Sequence, residues 1–138
     1  MKPILSATGL AIVLAVGACS APASVAETAP KVAAFHHRID AEDYAAIWGE
    51  TSDDMRKVTT EADMEKVFAA VHRKLGKVLK TSQVGWRNNM STGGNFVSVQ
   101  MDTKFEKGSG SEEFVYRQVG KELKLAGYHI NSAEMMLN

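Results

Sequence analysis

Four histidines and one cysteine are the side chains best suited to hold a metal, carry a redox step or move a proton. His36 and Asp40 stand four apart, a spacing that puts two ligands on one face of a helix. A metal site needs three or more converging donors. No His-Glu-x-x-His, cysteine pair or calcium-loop spacing supplies the third. His36, His37 and Asp40 therefore read as a solvated helix face, and no metal or other cofactor is expected. His129 is the more interesting imidazole, because its strand is apolar and alternation places it with Leu123 and Leu125. Beside a carboxylate it would suit a general base. Asp102 is the only acidic residue central in a strand, but alternation assigns it to the polar face. No Gly-x-Ser-x-Gly or Ser–His–Asp pattern is present, and the glycines of "TGG" and "GSG" precede no helix that would cradle phosphate.

The elements that must position these groups follow from periodicity. Val32, Phe35 and Ile39 lie at helical spacing, and Tyr44, Ile47 and Trp48 continue an apolar side. Asp40 and Asp43 mark a fresh start or a kink, since Asp prefers caps to helix interiors. Thr51 to Val58 predicts one short turn with Ser52 as cap. Thr60 then caps a clear helix whose stripe is Met64, Val67, Phe68, Val71 and Leu75, with Asp63 at the capping-box position. His72, Arg73 and Lys74 fill its last turn, and Gly76 ends it.

Beyond Gly76 the period changes to two. Val78 to Met90 predicts a strand with Val78, Val84 and Trp86 on one side. "STGGN" (91–95) is turn chemistry. In Phe96 to Glu106, residues Val97, Val99, Met101 and Phe105 share a face on which Thr103 is the one exception. "KGSGS" (107–111) predicts a turn, Glu112 to Val119 a third strand, Gly120 and Lys121 a tight hairpin, and Glu122 to Asn131 a fourth strand. Short connections make the neighbours antiparallel. Strands of this length call for twist and bulges, with Gly85 and Gly127 as the sites. Helices followed by a four-strand meander predict an α+β domain with its helices packed on one sheet face.

The chain has 138 residues with 16 basic and 16 acidic side chains. That balance shows no basic stripe for nucleic acid and no broad attraction to anionic lipid. The single thiol, Cys19, has no disulfide partner. It follows a positive start at Lys2 and an apolar run from Ile4 to Val16, short of the ~20 residues that span a bilayer. "VGAC" (16–19) resembles the bacterial lipoprotein signal. The resemblance implies that residues 1–18 are removed, that Cys19 carries acyl chains as the first mature residue, and that the protein is held at the outer membrane facing the periplasm. An ordinary signal peptidase cut after "SVA" (24–26) is the alternative. Residues 19–31 are small, Pro-containing and aperiodic, so they read as a tether whose twelve residues after the cysteine reach about 40 Å at full extension. Residues 32–138 form the single folded domain.

"AEDYAAIW", "VHRKLGKV" and "AGYHIN", in the order α-α-β-β-β-β, resemble bacterial lipoproteins of unknown function in the nuclear-transport-factor-2-like superfamily. The resemblance implies a cone-shaped α+β fold with a cleft between helices and curved sheet, and in some relatives an Asp–His pair or a homodimer through the outer sheet face. Tyr44, Trp48, Trp86, Tyr116 and His129 are the candidate cleft residues, with Arg117 near a rim; as ordinary core aromatics the same residues need no ligand. The expected role is a lipid-anchored envelope domain that binds a small apolar ligand or an envelope protein. The alternative is a small hydrolase or isomerase using the cleft histidine.

Overall fold

The computed structural model describes residues 23–137. A short helix α1 (Ala23–Ala26) leads into α2 (Thr28–Asp40), α3 (Tyr44–Gly49), α4 (Asp53–Val58) and α5 (Glu61–Leu75). Four strands follow, β1 (Val78–Ser91), β2 (Gly94–Phe105), β3 (Gly108–Val119) and β4 (Glu122–Asn131), and a terminal turn of helix, α6 (Ala133–Met136). The strands form one antiparallel sheet in the order β1-β2-β3-β4, the α+β meander anticipated from periodicity.

Local chemistry explains where the helices break. Glu42 adopts φ 57°, a left-handed turn that ends the α2 segment, and the Asp43 carboxylate then accepts the Ala46 N–H at 3.2 Å to start α3. Thr60 Oγ1 accepts the Asp63 N–H at 3.2 Å at the start of α5, while its own proton goes to Asp63 Oδ2 at 2.9 Å. Gly76, at φ 75°, closes α5; a β-carbon there would meet the Glu106 side chain. Asp40 Oδ1 accepts the Val78 N–H at 3.2 Å and so ties the end of α2 to the start of the sheet.

Two expectations about boundaries change. The segment read as a tether is helical from Ala23, and Val25 is buried in the core, with the Thr28 hydroxyl donating to the Val25 carbonyl at 2.6 Å. Cys19 and the leader lie outside the described residues. The turn expected at 107–111 shrinks to Glu106 and Lys107, and Gly108 begins β3 opposite Phe105. Glycine leaves room there for α6 to fold back over the strand, since a β-carbon on Gly108 would push the Glu134 side chain aside.

The core lies between α2, α3, α5 and the inner sheet face. Phe35, Phe68, Phe114 and Tyr128 meet there mostly edge to face, with Phe35 4.9 Å from Phe114 and 5.2 Å from Phe68. A second cluster of Val71, Leu75 and Phe105 sits under α6. The sheet carries three register shifts. Leu79 and Val84 are extra residues of β1, and Ala126 is the extra residue of β4, where Val115 faces Gly127 and Tyr116 faces Leu125. The shifts at Val84 and Ala126 fall beside Gly85 and Gly127, the positions anticipated from the sequence.

Candidate functional site

The bulge at Ala126 decides where the candidate residues point. An extra residue in one strand reverses the facing of everything after it. Leu123 and Leu125 face the core, but beyond Ala126 it is Tyr128 that turns inward, and His129 pairs with Glu113 on the exposed side. The expected place of His129 in the inner cleft is therefore wrong. Among the described residues its ring has no hydrogen bond and no ion pair. Asp102 lies on the exposed face as read, opposite Ser82 and Ser111.

The other candidates are dispersed. Tyr44 is buried at the start of α3, its hydroxyl without a partner among the described residues. Burial, then the charges of Glu42 and Glu65, raise its pKa above the ordinary tyrosine value. Trp48 is half-buried beneath the Arg56 guanidinium, 5.0 Å from the ring centre. Trp86 is 48% exposed, because β1 is an edge strand that runs past the helical cover. Tyr116 is core, stacked with Phe114 at 6.4 Å, and burial raises its hydroxyl pKa well above the usual range. Arg117 Nη1 donates to both oxygens of Asp54 at 2.8 and 2.7 Å, and Nη2 donates to the Gly93 carbonyl at 3.2 Å. Arg117 thereby fastens α4 to the β1–β2 turn.

The hydrogen bond from Arg117 holds the Asp54 carboxyl below its usual pKa. A depressed folded value means that this pair stabilises the native state at neutral pH. The contribution fades as pH falls through the folded value. Both side chains remain about one-third exposed, so solvent limits the effect to roughly 1 kcal/mol or less. Asp54→Asn should lower the urea midpoint slightly at pH 7, and its difference from wild type should begin to narrow as the pH falls below the unfolded carboxyl value of ~3.9 and close below the lower folded value. A gap that persists at low pH would mean that the pair is not the cause.

Two concavities flank the core. The cleft between α2, α3 and the sheet is present but small, about 100 Å³, walled by Phe35, Ile47, Tyr116 and Leu125. That is too small for a drug-sized ligand. Its mouth is crossed by Glu50, which pairs with Lys31 at 3.1 Å and Arg38 at 3.7 Å. The Lys31 hydrogen bond is the main reason the Glu50 carboxyl titrates below its usual value. The second concavity is an open apolar groove of about 280 Å³ between α4, α5 and β4. Met55, Val58, Met64, Val67 and Phe68 line it, and β4 contributes Ala126 to His129. Val67, expected in the buried stripe of α5, is 52% exposed here, and Val58 is 82% exposed.

An imidazole–carboxylate pair does exist, at residues that the sequence reading passed over. Glu112 is 1% exposed inside the core. His36 Nε2 lies 2.8 Å from its Oε2, the Thr103 hydroxyl donates to the same oxygen at 2.6 Å, and the Tyr128 hydroxyl donates to Oε1 at 2.7 Å. Thr81 and Thr103 share a further hydrogen bond of 2.7 Å. Helix α2 and all four strands contribute. Burial, then the Glu112 charge, hold the Tyr128 hydroxyl far above its ordinary pKa. His36 is thus packed, not solvated. Tyr128 borders the apolar groove and Thr103 a wide open hollow beside Ser82 and Asp102, while His36 and Glu112 line no concavity, so the pair fastens the helical layer to the sheet. Its signal was present in the sequence: Glu112 alternates with Phe114 and Tyr116 on the face that must be buried.

Among the described residues no group of three His, Cys, Asp or Glu converges on a point, and no helix is long and apolar enough to cross a membrane. No curated protein and no solved structure matches the chain. Residues 31–128, from the first turn of α2 to the inward-facing Tyr128, match the family described as "Protein of unknown function (DUF4019)". That span takes in α3 to α5, β1 to β3 and most of β4, and with them His36, Glu112 and both concavities. The chain belongs to the DUF4019 family.

Proposed function

We propose that this chain is a lipid-anchored envelope domain that binds another envelope protein through the groove between α4, α5 and β4. The observation that carries the reading is the groove itself: an unpartnered apolar strip in which Val58 and Val67 stand in solvent beside buried Met55, Met64 and Phe68. Methionine lining suits a surface that adapts to a partner's side chains. Pockets for drug-sized ligands run from ~300 to 1,000 Å³ and enclose most of the molecule. The groove sits at the lower edge of that range and is open along one side, which favours one or two inserted side chains over a free apolar molecule. The anchor rests on the charged start, apolar run and small-small-Cys pattern ending at Cys19. Kinship with nuclear-transport-factor-2-like lipoproteins is part of the same proposal and rests on element order.

A photo-crosslinking amino acid at Val67 in cells should give one discrete protein adduct, and the same group at Lys80 on the outer sheet face should not. Val58→Asp should abolish the adduct without changing the thermal midpoint, and the partner identified by mass should bind the purified protein. A co-purifying small molecule that is lost in Val58→Asp, with no protein adduct, would replace this reading with the ligand-binding one.

A further inference from the structure

The anchor is far shorter than the sequence suggests. Only Ser20, Ala21 and Pro22 separate Cys19 from the start of α1, and Val25 is already locked in the core. At full extension that link reaches about 14 Å. The strands are much longer: β2 spans Gly94–Phe105, about 40 Å at ~3.3 Å per residue. A 40 Å tether would leave the domain free to present any side to the bilayer, whereas a 14 Å link does not.

Topology says which side is held. In an antiparallel meander the β1–β2 and β3–β4 turns lie at one end, and the β2–β3 turn at the other. Helix α1 packs against β2, and Glu27 with Pro30 and Lys31 of the first turn of α2 border a hollow whose other wall is Lys121, Glu122 and Leu123 of the β3–β4 hairpin. Chain entry and both hairpin turns therefore share one end. The Arg117 bond to Gly93 braces the two hairpins together there. Their tips carry exposed apolar side chains, Met90 at 76% and Val119 at 48%, with Lys121 beside them. An apolar tip flanked by a lysine that extends toward headgroups suits the bilayer interface. Met136 and Leu137 are also strongly exposed, but at the opposite end, some 40 Å away along the strands and beyond the reach of the link.

We infer that the acylated protein docks end-on against the phospholipid surface, with the Met90 and Val119 hairpin tips in the interface and the Lys80–Lys104 end turned away from the membrane. This inference rests on acylation of Cys19, so the test begins there. The full chain is expressed in a bacterium, purified from its membranes, weighed, and reconstituted into phosphatidylcholine vesicles. A membrane-impermeant amine reagent then labels exposed lysines, which are mapped by mass. A second form carries a flexible Gly/Ser insertion of twelve residues between Ala21 and Pro22. With the native link, Lys121 should label at least about five-fold more slowly than in the long-link form, while Lys80 labels equally in both. An unacylated Cys19 overturns both the anchor and this orientation. An acylated protein whose Lys121 labels alike in the two forms overturns the orientation alone, as does protection of Lys80.

Discussion

Replacing Glu112 with Ala should remove about 3–5 kcal/mol of folding stability, the range for deleting one partner of a buried, hydrogen-bonded charged group. The loss exceeds that of an ordinary surface carboxylate because three side chains depend on this one. His36 Nε2, the Thr103 hydroxyl and the Tyr128 hydroxyl all converge on it at 2.6–2.8 Å. Without it the imidazole and phenol have no replacement partner close by, and water must enter a packed core to serve them. Urea unfolding followed by tryptophan fluorescence measures the effect. The triple variant His36→Leu, Glu112→Leu, Tyr128→Phe removes the polar groups together and should recover much of the loss, with Thr103 still bonded to Thr81. If Glu112→Ala costs less than about 1 kcal/mol, the cluster is not the fastening between helices and sheet that its geometry implies.

Phe114→Ala should cost a similar amount, about 3–5 kcal/mol, through a different cause. Phe114 is fully buried and touches four rings: Phe35 at 4.9 Å, Tyr128 at 5.2 Å, His36 at 5.7 Å and Tyr116 at 6.4 Å. Truncation opens a cavity at the centre of the aromatic cluster, where no flexible side chain is placed to fill it. Because Phe114 and Glu112 are neighbours on one face of β3 and both abut His36, the double variant should lose less than the sum of the singles. Additive losses would show that the aromatic packing and the hydrogen-bond cluster are independent. A midpoint unchanged by Phe114→Ala would show that the site collapses freely.

The fold was legible because the period of the apolar residues changes once, from 3.6 to 2, at Gly76. The caps at Asp43 and Thr60 and the two-residue turn at Gly120 and Lys121 were likewise readable. The candidate site was not, and the reason is parity. Gly127 was recognisable as a bulge position, but a bulge also inverts the alternation beyond it, which exchanges Tyr128 for His129 on the inner face. The same rule, applied without a bulge, places Glu112 inward with Phe114 and Tyr116. Thr103, an exception on an apolar face, is explained by the carboxylate it bonds. Trp86 misled for another reason: the extra residues at Leu79 and Val84 cancel, so it faces inward beside Val99, but no helix covers β1 there. Alternation reports which side a residue faces and not whether anything covers that side. The early start of α1 had no periodic signal, because Ala23–Ala26 contributes only Val25 to the core.

The uncovered β1 also has a bearing on how copies of this molecule behave at high concentration. A long rim strand offers unpaired amides and carbonyls to any neighbouring rim, the route by which sheets stack into fibres. The extra residue at Val84 kinks that rim midway, and Lys80 and Arg87 place positive charge on either side of the kink. Two such edges cannot align along their length without a mismatch and a like-charge encounter. The same irregularity that bends the sheet thus works against edge-to-edge pairing of copies.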